Sequence, residues 1–204
     1  MEMSKIGIEN PPLRLHMQPI IEMTDEQFYD FCRINRELRI ERTAEGDLII
    51  MTPAGGETSW RNSELVTALN IWAKQDGMGV VFDSSGGFTL PNGATRSPDA
   101  AWVKRSRLAT LSRAEKKKFV PLCPDFVIEL RSPSDRLQDI QDKMQEYVDN
   151  GLRLGWLVDP EQRHLYIYDS TGQVNCLENP ASVSGDPILP GFDLSLEKIW
   201  EVDF

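Results

Sequence analysis

The sequence predicts a mixed α/β fold, a central β-sheet with helices on its faces. Three observations lead there. Segments with helical hydrophobic spacing alternate with short strand-like runs along the chain, the pattern of a sheet covered by helices. The run Pro124-Asp125-Phe126-Val127-Ile128-Glu129-Leu130 is mostly apolar and β-branched, as a strand buried on both faces should be. The 204 residues contain no internal repeat, low-complexity tract or compositional break, so a single domain over 1–204 is expected.

Each element has its own warrant. Pro11, Pro12 and Pro19 make the entry irregular. Thr24-Asp25-Glu26-Gln27 is a capping box that opens a helix to about Arg36, with Phe28 and Phe31 inward. Residues 38–42 and 48–51 flank Glu45-Gly46-Asp47, a hairpin signal. A longer helix over about 57–75 carries Leu65, Val66, Leu69, Trp72 and Ala73 at helical spacing, and Gly77 suits its C′ position. Residues 80–83, 87–90 and 98–103 read as strands, with Pro91-Asn92-Gly93 as a turn. Residues 108–119 are basic and expected to be partly helical.

Ser134 is placed to cap a helix over 135–150, stopped by Gly151, with Leu137, Ile140, Met144 and Tyr147 as its inward stripe. Residues 154–158 form the next strand. Residues 163–168 and 174–177 bracket Ser170-Thr171-Gly172-Gln173 as a second hairpin, and the tail 190–204 docks on the core. The expected core spans about 53–170. An N-terminal helix and hairpin extension (1–52) precedes it, and a C-terminal hairpin and docking tail (171–204) follow.

Composition excludes several function classes. There are 22 Lys+Arg against 32 Asp+Glu, a net charge of −10, which argues against coating nucleic acid by bulk positive charge. The three cysteines are odd in number and widely spaced, which gives no disulfide framework or metal knuckle and fits a reducing cytosol. With two histidines there is no H-E-x-x-H zinc site, and no G-x-S-x-G elbow accompanies either. Residues 1–15 lack a signal-type apolar run, and no stretch approaches the roughly 18 apolar residues of a membrane span. A soluble, cytoplasmic protein with no membrane partner is expected. Its chemistry should rest on carboxylates and lysines.

Two acids stand out. Asp99, in Ser97-Pro98-Asp99, precedes Ala100-Ala101-Trp102-Val103, and Glu129 follows Phe126-Val127-Ile128. A carboxylate in a buried strand costs several kcal/mol unless it is paired or binds a metal. Two such acids on neighbouring strands suit a hard divalent cation. The carbonyl of Leu130 is a candidate third oxygen. Glu57, after Gly55-Gly56, is a candidate fourth. Plainer roles stay open for each: a turn cap for Asp99, an ion pair with Arg131 or Lys143 for Glu129, a first-turn acid for Glu57, a snorkelling surface lysine for Lys143.

The order P-D, then (D/E)-x-K some thirty residues on, is similar to the signature of the PD-(D/E)XK nuclease superfamily. More closely, the chain resembles the Uma-two family, whose members are assigned as restriction-type endonucleases. The resemblance runs from about 55 to 169 and recurs at Pro190-Gly191-Phe192. It is carried by residues 53–57, 83–93, Ser97-Pro98-Asp99, 124–129, Ser132-Pro133-Ser134-Asp135, Lys143 with Tyr147, and Gly155-Trp156-Leu157-Val158-Asp159-Pro160.

The resemblance implies a restriction-endonuclease-like fold and Mg²⁺- or Mn²⁺-dependent hydrolysis of DNA phosphodiester bonds. Asp99 and Glu129 would hold the metal, joined by Glu57. The superfamily lysine has Arg131 in its place, a departure from the motif. Arg stays protonated at neutral pH and offers only charge and a fork of donors. Lys143, on the edge of the inward helical stripe, is the candidate replacement.

Between Lys104 and Lys118 lie seven basic residues and one acid, with Lys104, Arg105 and Arg107 following directly on the Asp99 strand. This segment is a candidate phosphate contact beside the metal site, though a charge run is by itself an ordinary solvated surface. One active site that cuts both strands must dimerise or act twice, so a symmetric homodimer is expected. The rival classes are a catalytically degenerate nuclease fold acting as a nucleic-acid-binding or interaction module, and a hydrolase for another phosphate ester.

Overall fold

The computed structural model describes residues 12–204; the irregular entry and the absence of a signal-type run, as far as they concern residues 1–11, lie outside that range. The elements in chain order are β1 (Leu13–Leu15), α1 (Asp25–Ile34), β2 (Arg39–Arg42), β3 (Leu48–Met51), α2 (Gly56–Asp76), β4 (Gly79–Asp83), β5 (Phe88–Thr89), β6 (Thr95–Arg96), β7 (Ala100–Lys104) and α3 (Arg105–Ala109). They continue with β8 (Phe126–Leu130), α4 (Leu137–Asp149), β9 (Leu154–Asp159), β10 (His164–Asp169), β11 (Val174–Glu178), β12 (Ser182–Ser184), β13 (Asp193–Ser195) and α5 (Glu197–Trp200).

The central sheet has six strands in the order β11-β10-β9-β8-β7-β4. Only β8 and β9 run parallel; the remaining pairs are antiparallel. Parallel neighbours need a crossover, and α4 supplies it. A second sheet, β1-β3-β2-β6-β5, joins the N-terminal hairpin to the strands just before Asp99. The hairpin therefore pairs with β6 through Arg42 and Thr95.

Strand alternation sorts the side chains of β8 between two cores. Phe126 and Ile128 face α2 and the C-terminal tail, among Leu65, Trp72, Trp156 and Phe192. Val127 faces the other way, onto Met144 and Tyr147 of α4. Glu129 continues that second series, so its carboxyl emerges at the edge of the α4 layer. Trp156 and Phe192 stack at 5.6 Å between centroids, which fixes the tail on the first face.

The local expectations fare differently, and the Ser134 cap is the one that needs correction. The capping box at Thr24 forms, with Gln27 returning the bond to the Thr24 N–H. Ser134 does not cap α4, which begins only at Leu137 behind Arg136. Asp135 instead accepts bonds from the Ser132 N–H and hydroxyl, holding that segment in a tight turn. The basic segment is mostly irregular, with one short α-helix and a single 3₁₀ turn at Glu115–Lys117.

Candidate functional site

Four elements bring ionisable groups to one place. The β7–β8 register pairs Ala100 with Ile128, so Asp99, one residue earlier, stands opposite Glu129 on the same sheet face. The ladder stops at Ala100. The Leu130 N–H therefore has no strand partner there and donates to Asp99 Oδ2 at 2.9 Å. In a strand the N–H and C=O of one residue point to the same side, so the Leu130 carbonyl also turns toward Asp99.

The helix α4 crosses this face and supplies two further groups. Lys143 and Tyr147 are four residues apart and so lie on one helix face. The Lys143 Nζ is 2.8 Å from Glu129 Oε1 and 2.9 Å from Glu41 Oε1. The Tyr147 hydroxyl donates to Glu129 Oε1 at 3.0 Å. Glu41 comes from β2 in the other sheet. It also accepts the Ser97 N–H at 2.8 Å and an Arg96 N–H at 3.3 Å. Arg96 in turn donates to Glu146 of α4 at 2.5 Å, tying the second sheet to that helix.

The electrostatics divide the acids. Burial pushes Glu129 up to about 7, with the Asp99 and Glu41 charges adding to the shift and Lys143 opposing it. Asp99 is also pushed up by burial, against Arg39, the Leu130 N–H and Lys143. Glu41 is buried too, yet Lys143, Arg96 and the Ser97 N–H outweigh its desolvation and hold it below the usual carboxylate range. Desolvation works against the Lys143 charge, but Glu129 and Glu41 together raise its pKa. Lys143 is therefore an ammonium, and Glu41 its firm counter-ion.

Asp99 and Glu129 are incompletely bonded. Both hydrogen bonds to Glu129 fall on Oε1, and among the described residues Oε2 receives none. Asp99 Oδ1 has only the Arg39 guanidinium, at 3.6 Å, beyond hydrogen-bond reach. The buried Glu129 and the partly buried Asp99, both pushed toward protonation, each with an unbonded oxygen and a carbonyl nearby, are a hard-oxygen donor set that fits a divalent cation. A ready-made group of three His, Cys, Asp or Glu side chains does not occur among the described residues. Glu41 is already engaged by Lys143, Arg96 and Ser97. Mg²⁺ is commonly held by one or two carboxylates while keeping waters and substrate phosphates, so two acids suffice.

The remaining sequence candidates lie elsewhere. Arg131 shares the face of Glu129 but pairs with Asp159 at 2.9 Å and Glu161 at 3.3 Å. Asp159 is wholly buried, and neutralising it occupies the guanidinium. Glu57 is bonded to Arg61 on α2, which packs on the opposite face of the sheet, and its side chain is 67% exposed. Lys104, Arg105 and Arg107 do not stand beside Asp99: the strand β7 carries the chain about 16 Å away, at roughly 3.3 Å per residue. At that far end Asp125 accepts the Lys104 N–H and pairs with Arg107, and Arg105 bonds the Gly77 carbonyl. Sequence reasoning missed Glu41. Its neighbours Ile40 and Arg42 gave no sign that both faces of β2 are covered.

The sequence model of the Uma2 family, described as "Putative restriction endonuclease", matches residues 25–197. The chain belongs to the Uma2 family. The Uma2 match spans β2, β8 and α4, and so every residue of the cluster. Among solved structures, the fold is similar to the crystal structure of "a putative nuclease belonging to DUF820 from Anabaena variabilis", with a TM-score of 0.71 and 19% identity. That likeness covers 88% of this chain and 98% of the other, and it carries the fold. No curated protein matches the chain. No helix among the described residues is long and apolar enough to cross a membrane.

Proposed function

We propose that the protein is a metal-dependent endonuclease that hydrolyses DNA phosphodiester bonds. The observation that carries this reading is the pair Asp99–Glu129, one partly buried and one buried, both under-bonded acids, beside an ammonium held by two carboxylates. Asp99, Glu129 and the Leu130 carbonyl would hold Mg²⁺ or Mn²⁺. A bound ion of this kind polarises the scissile phosphate and eases the deprotonation of water.

The chain's own groups do the rest. Lys143 presents a fixed positive charge to the oxygens that gain negative charge as the phosphorus becomes five-coordinate. Glu41 and Glu129 hold that ammonium in place, and the Tyr147 hydroxyl fixes the orientation of the Glu129 carboxylate. Lys143 thereby takes the role that the motif gives to the residue at position 131. A homodimer, with each subunit cutting one strand, completes the reading.

The test is cleavage of supercoiled, linear and single-stranded DNA, with RNA in parallel, in Mg²⁺ or Mn²⁺. Wild type should cut DNA, and Asp99→Ala, Glu129→Ala and Lys143→Ala should each lose at least a hundredfold in rate, the scale on which electrostatic and metal contacts act. Activity that survives in both acid variants overturns the assignment. Sedimentation of the active species tests the dimer. The second reading is a nuclease-fold binding module without chemistry, favoured by the engagement of Arg131 with Asp159. DNA binding without cleavage and without carboxylate-dependent metal binding would establish it.

A further inference from the structure

The cation at the mouth of the site is Arg39. It begins β2, two residues before Glu41, and so faces the same side of the strand. Its Nη2 donates to the Ser97 carbonyl at 2.9 Å, and the same nitrogen stands 3.6 Å from Asp99 Oδ1. Ser97 and Asp99 flank the bend where the chain enters β7. Arg39 is thus held by backbone one peptide away from the proposed metal ligand.

Its geometry is not that of a structural ion pair. An arginine that neutralises a carboxylate sets two nitrogens against two oxygens at roughly 2.7–2.9 Å. Here one nitrogen approaches one oxygen at 3.6 Å. The Nε is buried without a partner, and Nη1 bonds to no group among the described residues. The rest of the cluster is saturated by comparison. Lys143 has two carboxylates, and Arg96 has Glu41 and Glu146.

Exposure points the same way. The Arg39 side chain is 39% exposed, against 18% for Asp99, 15% for Lys143 and 8% for Glu129. An anionic chain that reaches the acids meets this guanidinium on the way in. The planar end of Arg39 offers two nitrogens to two phosphate oxygens, which an ammonium cannot match.

We propose that Arg39 binds a backbone phosphate of the substrate strand next to the one that is cleaved, through Nη1 and Nη2. The role rests on the endonuclease reading above. It gives the site a phosphate contact that Lys104, Arg105 and Arg107, at the other end of β7, do not supply. It also lets a strongly acidic protein engage nucleic acid at one point without a positive surface.

The experiment compares wild type, Arg39→Ala and Arg39→Lys, with thermal melting of each to confirm folding. Binding of a fluorescein-labelled 30-base-pair duplex is followed by anisotropy in Ca²⁺ over a series of salt concentrations, and cleavage is followed in Mg²⁺. Arg39→Ala should weaken binding about tenfold, raise KM more than it lowers kcat, and reduce the slope of log Kd against log salt by about 1. Arg39→Lys should restore the slope and only part of the affinity, because it keeps the charge and loses the fork. An unchanged salt slope in a folded Arg39→Ala overturns the proposal, even if activity falls. If wild type cleaves, Asp99→Ala does not, and Arg39→Ala leaves KM and slope unchanged, the Arg39 role alone fails. If wild type neither binds nor cleaves the duplex, both readings fall.

Discussion

The ammonium of Lys143 stands 2.8 Å from a carboxylate oxygen of Glu129, on an element that joins the sheet only by crossing from β8 to β9. A second carboxylate, Glu41, closes on the same nitrogen at 2.9 Å from another sheet. One cation thus bridges two buried carboxylates whose charges would otherwise repel.

The first prediction follows from that triad. Lys143→Met leaves Glu129 without a cation and Glu41 with Arg96 alone, and removing one partner of a buried ion pair commonly costs about 3–5 kcal/mol. Denaturant unfolding at neutral pH should show a loss of that order. Lys143→Met combined with Glu41→Gln should recover much of the stability and none of the cleavage. Equal stability of the single and double variants would mean that Glu41 does not depend on Lys143.

The second prediction concerns pH. The Glu129 carboxyl is raised by burial from 4.5 to about 7, so between those values the native state keeps a proton that the unfolded chain releases. A raised acid contributes less as pH rises, the reverse of the usual paired carboxylate; over the whole window the change is on the order of 3 kcal/mol. Glu41, held low, has the opposite sign and loses its contribution only as pH falls below its ordinary range. Glu129→Gln removes the first effect and keeps the second. Its melting temperature relative to wild type should therefore rise from about pH 5 to about pH 8. A difference that stays constant across that range would contradict the buried, raised carboxyl.

Much of this arrangement was legible in the sequence because it is local or periodic. Asp99 and Glu129 announce themselves as acids in apolar strand surroundings, and the stripe Leu137, Ile140, Met144, Tyr147 places Lys143 at its edge. Met144 and Tyr147 are indeed buried, with Leu137 and Ile140 packed beside them. Glu41 was illegible for a physical reason. Its place depends on Ser97, 56 residues away, and Lys143, 102 residues away, and strand alternation cannot say that a second surface will cover it. Arg131 misled because spacing along a strand fixes a face, not a partner. The β9 acid Asp159 lies in reach and claims the guanidinium. The basic run misled because proximity in sequence to Asp99 became distance along β7.

The third prediction separates Arg131 from the chemistry. Arg131→Met strands the wholly buried Asp159, at a cost of about 3–5 kcal/mol. Cleavage per folded molecule should stay within severalfold of wild type, about what an indirect effect allows. Arg131→Met with Asp159→Leu should regain stability. If Arg131 filled the place of the motif lysine, rate would collapse by a hundredfold or more with the fold intact. Paired measurements of unfolding and initial rate on the same preparations decide between these outcomes.

The fourth prediction concerns the divalent cation itself. Asp99 and Glu129 each keep an oxygen that receives no hydrogen bond among the described residues, and the molecule as a whole has a net charge of −10. An ion that binds only the native state stabilises it by about 2.7 kcal/mol at a hundred times its Kd. Millimolar Mg²⁺ or Mn²⁺ should therefore raise the melting temperature of wild type and leave Asp99→Asn and Glu129→Gln nearly unmoved. The increment should grow as pH rises through about 7, because the ion competes with the proton on Glu129. Duplex DNA should bind weakly without the cation and more tightly with Ca²⁺, since two acids facing a phosphate repel it until an ion lies between them. Equal affinity with and without Ca²⁺ would place the DNA away from Asp99 and Glu129.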